Sequence, residues 1–541
     1  MRIIQRTEWL VGAALTAAAV CLHAVFLNHA GGLWRDECGI VRMAVLPTFK
    51  EMWSFLSIET CPVLFPTVLR AWSALGFGGT DYGFRVCGFL VGLGLLGAVW
   101  LNGRALTRRA PLVALGLLAA NLTAVRWEDS LRAYGAGSVL MLVTVAAVWR
   151  FVESPRPGRW LAAAAAALLS AQCLFQNSFL ILPVCLAGGA VCLWRKEGDQ
   201  AIAALAIGVP AAAAYLPYLK MIHDRHVGWA MLEQTGFLPG FVWRNLSAAL
   251  APTMAWVKWL WIGLALLAAA RGFRALRSGA SPRDDEAAVT LFAATALTTG
   301  AVSFFLGLWS LGLLTQVWYY LPLLTFSAVC IDAASAGVAR RWRVTRLLLA
   351  CLLAGAPFSG AFAGAHCRQT NMDLIVAELN RRAAPEDLIL VHPWYNGVSF
   401  GRYYAGAALW TTVPALEDHR FHRFDLLKVR MQMEHPIQPV LDQIASTLQS
   451  GHRVWLVGEI HLDQASPPDP RPAPYNPWGW FEFPYSRIWG AQVGYFIATH
   501  AGHWEAVASP SAACVNPLED LPLAWVAGWR RGSWDGGSAP R

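Results

Sequence analysis

Charge is what this sequence has least of: Lys, Arg, Asp and Glu together make up 14% of its 541 residues, against about a quarter in soluble domains. With 56% hydrophobic residues and a mean hydropathy of +0.42, an ordinary soluble protein is excluded and an integral membrane protein is expected. No single basic patch accompanies the formal charge of +9. The Lys and Arg fall in small clusters between apolar runs, which argues against nucleic acid as a partner and for membrane topology. The region from about residue 364 carries no GxGxxG pattern, so no nucleotide site is inferred there, and no internal repeat is evident. The first apolar run, 9–28, is too long for a signal h-region and has no small-residue cleavage pattern after it, so it is expected to stay as a helix.

What is present is a series of apolar stretches of roughly 17 to 21 residues, each long enough to cross a membrane as a helix. About eleven are expected, near 9–28, 84–103, 110–126, 134–152, 160–176, 178–194, 201–219, 252–270, 287–307, 317–335 and 346–363. Basic clusters mark every second connection: Arg2 and Arg6; Arg104, Arg108 and Arg109; Arg150, Arg156 and Arg159; Arg195 and Lys196; Arg271, Arg274, Arg277 and Arg283; Arg340, Arg341, Arg343 and Arg346. The positive-inside rule then puts the N-terminus inside and everything after about residue 364 outside. The 27 Trp fit anchoring at headgroup depth.

Two long outer loops are expected, 29–83 and 220–251, and "ECGIVRMAVL" and "CPVLFPTVLRAW" have the mixed spacing of helices lying along the interface. From 364 to 541 the composition turns soluble. "MDLIVAELNRRA" reads as an amphipathic helix and "DLILVHP" and "HRVWLVGEI" as buried strands. "FDLLKVRMQMEHPIQPVLDQIASTLQSG" reads as a helix interrupted by Pro, and "SPPDPRPAPYNP" as an extended loop. The expected architecture is a polytopic α-helical membrane module, 1–363, followed by an extracytoplasmic α/β domain, 364–541. Most of the 11 Cys sit inside apolar runs. In an oxidising compartment Cys38 with Cys61 and Cys367 with Cys514 are candidate disulfides, and free thiols are the rival reading.

"LWRDECGIVRMA", 33–44, sets Asp36 and Glu37 side by side just beyond the first span, between Arg35 and Arg42. One reading is a helix start, with Asp36 as cap, Glu37 near the positive helix end and Arg35 among the headgroups. The other is a pair of shielded carboxylates serving as general base or as ligands of a divalent cation. A second acidic cluster, "RWEDSLRAY" (126–134), falls on the same side, and is either a polar turn with Trp127 and Tyr134 in the aromatic belt or part of the same site. A transporter would more often hold its ionisable groups at mid-membrane. Of the exceptions, Lys258 and Asp332 are expected to snorkel from helix ends, and His23 to be packed.

At these residues the chain resembles the GT-C fold lipid-linked sugar transferases, the superfamily of dolichyl-phosphate-mannose protein mannosyltransferases and aminoarabinose transferases. "LWRDECGIVRMA" is similar to that family's Trp-x-Asp-Glu outer-loop pattern, and "ETCPVLFPTVLRAW" to its His-Pro-Pro-Leu-Tyr helix. Arg85 in "GFRVCGFLVGLGLL" is similar to the Arg opening the family's second span. Arg132 and Tyr134 in "SLRAYGAGSVLML" are similar to its Arg-x-Tyr. The chain departs at Cys61 (family His), Val63 (Pro), Ser130 (Glu, with Glu128 and Asp129 displaced beside it) and Tyr319 (Arg).

The resemblance implies inverting transfer of a sugar from a polyprenyl-phosphate donor to a protein, lipid or glycan acceptor outside a membrane, the bacterial plasma membrane being the expected one. Asp36 is then the base. Glu37 is its partner, or the two hold a divalent cation if one takes part. Arg35, Arg85, Arg132, Tyr134, Glu128 and Asp129 are the candidates for donor binding, with Lys220 and Arg225 of the later outer loop as remoter candidates for the phosphate. The rival readings are a transporter or flippase, and a non-catalytic protein of glycan assembly.

Overall fold

The computed structural model describes residues 2–221, 223, 238–277, 281, 284–312, 315–336, 340–462, 465–473, 481–507 and 514–530. The chain divides into two compact units. One contains Met1–His29, Cys61–Lys220 and Gly236–His366; the other contains Ala30–Thr60, Met221–Thr235 and Cys367–Arg541.

The first unit is helical. It holds α1 (Arg2–His29), α4 (Leu64–Trp72), α5 (Asp81–Asn102), α6 (Leu112–Leu118), α7 (Leu122–Glu128), α8 (Ala133–Glu153), α9 (Pro157–Cys173), α10 (Ser178–Trp194), α11 (Gly198–Ala206) and α12 (Gly208–Ala213). It continues with α13 (Pro239–Leu250), α14 (Val257–Arg277), α15 (Asp285–Leu311), α16 (Leu321–Ser335) and α17 (Arg340–Ala365). Helices α2 (Arg35–Ala44) and α3 (Phe49–Glu59) belong to the second unit. Among the described residues nine helical stretches are long and apolar enough to cross a membrane, by length and composition.

The run at 110–126 takes a different form from a single span. It breaks into α6 and α7, because the Asn121 carbonyl caps α7 by accepting from Ala124 N at 3.0 Å. The amide of the same side chain donates to Ala249 O at 3.1 Å. Helix α9 is 17 residues long and stops where Leu174 turns extended. Helix α8, at the centre, packs against α5, α9, α10 and α16.

Asp332 does not snorkel. It is 2% exposed, accepts from Val113 N at 2.9 Å at the start of α6, and pairs with Arg346 Nη2 at 3.1 Å. Arg346, counted among the basic residues of a connecting loop, is buried as well, with Glu8 Oε1 4.0 Å from its Nη1. Lys258, in contrast, does sit at the start of α14, over the rings of Trp243 and Trp259.

The terminal part of the second unit is a three-layer α/β fold. Its strands are β1 (Leu388–His392), β2 (Leu409–Thr412), β3 (Val454–Gly458), β4 (Ala501–Val507) and β5 (Leu523–Trp529), in the order β2-β1-β3-β5-β4. Strand β1 is parallel to β2 and β3, whereas β5 is antiparallel to β3 and β4. The uninterrupted apolar runs of β1 and β3 follow from burial on both faces, since successive side chains point to opposite sides. Leu388, Leu390, Val454 and Leu456 pack under α20 (Phe424–Met431), α21 (Gln438–Gln449) and α22 (Glu482–His500). Ile389, Val391, Trp455 and Val457 pack on α18 (Met372–Arg382) and Phe400 of α19 (Gly397–Tyr403). The interrupted helix of the sequence is thus α20 and α21. "SPPDPRPA" is neither helix nor strand, and the rest of that expected loop lies outside the described residues.

Of the candidate disulfides, Cys367–Cys514 is formed, and Cys38 and Cys61 are buried thiols. Helix α2 exists, but seven of its ten residues are buried within the second unit, so it is a packed helix rather than an interfacial one.

The buried pair in the first unit gives a test. Asp332→Ala strands the Arg346 guanidinium and is expected to cost about 3 to 5 kcal/mol. Adding Arg346→Met should recover part of that loss in thermal unfolding of the detergent-solubilised protein. Additive losses would count against the pair.

Candidate functional site

Helix α2 starts from Trp34, whose backbone is extended (φ −78°, ψ 166°). Glu37 turns back so that its Oε2 accepts from Trp34 N at 3.3 Å, satisfying one of the amides that a helix start leaves open. Glu37 is fully buried, while the Asp36 side chain is 20% exposed. Successive positions on a helix do not face each other, so the two carboxylates meet different surroundings. Among the described residues no group of three or more His, Cys, Asp or Glu could hold a metal ion.

Asp36 has a different companion. Its Oδ1 lies 3.8 Å from Arg35 Nε and 3.8 Å from His422 Nε2, and His422 Nδ1 lies 3.6 Å from Glu59 Oε1. Neither His422 nor Glu59 was flagged by the sequence. Glu59 precedes "TCPVLFP", whose apolar spacing drew attention away from it, and His422 lies in "DHRFHRFD", which has no local signature.

Arg35 is committed within the second unit. Its backbone N donates to Glu519 Oε2 at 2.9 Å and its Nη1 to Leu518 O at 2.8 Å, and its guanidinium stands 4.5 Å from the Tyr395 ring centre. Glu519 is fully buried, and its Oε1 accepts from Thr370 Oγ1 at 3.0 Å. Burial pushes the Glu519 carboxyl up, and Arg35 pulls it back. The Cys367–Cys514 bond fastens the neighbouring segments. Arg368 N donates to Cys514 O at 2.8 Å, Asn516 N to Arg368 O at 2.8 Å, and Gln369 N to Ala30 O at 2.8 Å.

These contacts set α2 at a specific place on the sheet. Tyr395 lies just beyond the end of β1, after Pro393 and Trp394, Arg42 Nη2 donates to Gly401 O in α19 at 3.1 Å, and Leu33 N donates to the Tyr403 hydroxyl at 2.6 Å. Strand β1 is flanked by β2 on one side and β3 on the other. Helix α2 therefore lies beyond the carboxyl ends of the parallel strands, where strand order reverses and open α/β sheets form their ligand crevice. His392 closes β1 there, fully desolvated, and burial lowers its imidazole to about 4.

The first unit gathers the second acidic cluster. Asp129 Oδ1 meets His23 Nδ1 at 2.9 Å, and Glu128 Oε2 lies 3.6 Å from His23 Nε2. Both carboxylates are buried. Burial pushes Glu128 up to about 8 and Asp129 upward too, against the pull of His23. Space for this turn comes from α5, where a Cβ on Gly88 would lie 2.0 Å from Asp129 O and one on Gly92 2.1 Å from Asp129 Oδ1. Arg85, on the same helix, is buried and acts electrostatically on Asp129.

Arg132 caps α8 in extended backbone and is half-buried. Tyr134 stacks on Tyr319 with 5.8 Å between ring centres, beside the Trp127–Trp318 pair at 4.5 Å. The structure thus brings Glu128 and Asp129 together on His23, with Arg85 acting on Asp129, and ties Tyr134 to "WYYLP". Lys220 is exposed, and Arg225 lies outside the described residues.

No family model matches the chain, and no curated protein matches it. Solved structures do. ArnT from Cupriavidus metallidurans, bound to undecaprenyl phosphate, matches with a TM-score of 0.51 and 14% identity, over 83% of this chain and 93% of its own. The apo oligosaccharyltransferase of Archaeoglobus fulgidus matches with a TM-score of 0.50 and 11% identity, over 98% of this chain and 75% of its own. This chain is therefore a polytopic membrane protein of the GT-C fold, carrying a sheet domain after its last helical span.

Proposed function

We propose that the chain transfers a sugar, with inversion at the anomeric carbon, from a polyprenyl-phosphate donor to an acceptor at the outer face of a bacterial plasma membrane. The observation that carries this is the fold match spanning 93% of ArnT, a protein crystallised with undecaprenyl phosphate. In such a reaction the acceptor hydroxyl or amine loses its proton as it attacks, which calls for a carboxylate open to the acceptor. Asp36 suits that role, being partly exposed where Glu37 is buried and spent on the helix start.

The lipid phosphate leaves without a proton and calls for positive charge. Arg132 is the favoured group for it. It stands at the amino end of a 21-residue helix, where backbone N–H groups also favour an anion. Tyr134 and Tyr319 follow as a ring pair beside it. Arg35 is taken by Glu519, and Arg85 by the buried Asp129 cluster, so both are given structural parts. No step is routed through a divalent cation.

Cells lacking the gene are expected to accumulate a lipid-linked sugar that the wild-type protein consumes. Asp36→Asn protein should insert normally and transfer at least about a hundredfold more slowly. An Asp36→Asn protein of full activity would remove Asp36 as the base. The outward placement of residues 367–541 is supported by the Cys367–Cys514 bond, since disulfides persist in oxidising compartments. In intact spheroplasts, a membrane-impermeant maleimide should modify Cys367 and Cys514 only after an impermeant reductant is added. Modification that requires lysis would place them inside.

A further inference from the structure

His422 stands in the second unit as a buried ring between two carboxylates. Trp394 meets it edge-on at 6.4 Å, and Phe424 stacks on it at 6.2 Å. Its Nδ1 lies 3.6 Å from Glu59 Oε1 and its Nε2 lies 3.8 Å from Asp36 Oδ1. Nε2 has no hydrogen bond among the described residues. Glu59 is buried at the end of α3 and comes close because α2 carries Gly39 there, where a Cβ would lie 2.3 Å from Glu59 Oε1. Both distances exceed a hydrogen bond, as is common in catalytic groups without substrate, where such contacts tighten only when substrate arrives.

We propose that His422 is the positioning residue for Asp36, supplied by the terminal domain, with Glu59 fixing its tautomer. This rests on the reading of Asp36 as base. With Glu59 accepting from Nδ1–H, the lone pair of Nε2 faces Asp36 Oδ1, in the manner of a base oriented by a third group. That lone pair gains a partner only when Asp36 takes up a proton. In the reaction the acceptor's proton passes to Asp36, the acceptor atom bonds to the anomeric carbon, and the bond from that carbon to the phosphate oxygen breaks with its electron pair on the phosphate. The protonated Asp36 then donates to Nε2. The contact strengthens in the transition state and not in the donor complex, so its loss falls on kcat rather than on KM.

The probe is the lipid-linked sugar extracted from membranes of cells lacking the gene, supplied to wild-type, His422→Phe, His422→Asn, His422→Gln and Asp36→Asn proteins in vesicles. His422→Phe keeps the ring packing without nitrogen and should lower kcat by about 10 to 100-fold with donor KM within about twofold. In His422→Gln the amide reaches the position of Nε2 and should restore most of kcat. In His422→Asn it reaches only the Nδ1 position, towards Glu59, and should not. The Gln–Asn contrast carries the test even where the Phe protein fails to accumulate. Equal activity of the Gln and Asn variants, or wild-type kcat in His422→Phe, overturns the role of His422. An inactive Asp36→Asn protein beside a fully active His422→Phe protein defeats this inference alone. A fully active Asp36→Asn protein, or a wild type that consumes nothing, defeats the transferase reading with it.

Discussion

Glu519 has both carboxylate oxygens occupied away from water, one by the backbone amide that opens α2 and the other by Thr370. A buried carboxylate without partners costs several kcal/mol, so the segments that satisfy it are held where it is. Arg35 is held twice, through its amide and through its guanidinium on Leu518 O and the Tyr395 ring. The direction in which α2 leaves this clamp decides where Asp36 points. His422 and Glu59 can flank it because α2 runs over α19, beyond the end of β1.

How much of this could be read from sequence depends on the range of the interaction. Apolar runs declare themselves locally, which is why the spans and the buried strands β1 and β3 were legible, as was the Pro break between α20 and α21. The Cys367–Cys514 pairing was legible as one option among several. The status of Asp36 and Glu37 was open because a helix start and a pair of shielded acids use the same letters. The structure divides the two readings between neighbours: Glu37 takes the helix-start role, and Asp36 stays partly exposed. His422 and Glu59 were not legible, since proximity between distant segments leaves no periodic trace in either one. Helix α2 had the composition of a helix lying on lipid, and only packing within the second unit revealed it as buried.

The helical unit shows a related limit. Counting charges along the sequence treated Asp332 and Arg346 as two separate groups near span ends, but together they form one buried pair with far less need of water than either alone. His23, Glu128 and Asp129 follow the same rule, with Gly88 and Gly92 surrendering their side chains so that the acidic turn can enter. Few charges in such a unit does not mean that the charges are peripheral. Asp332 with Arg346, and His23 with Glu128 and Asp129, pair inside it.

The clamp on Arg35 also has a place in time. A chain made from its amino end presents "LWRDECGIVRMA" early, whereas Glu519 lies 484 residues downstream of the amide it accepts from. Until translation has produced that residue and Cys514 has met Cys367, the start of α2 lacks the groups that fix it. The arrangement around Asp36 is therefore a late event of biogenesis. A protein stalled with all its apolar helices inserted would still not have it.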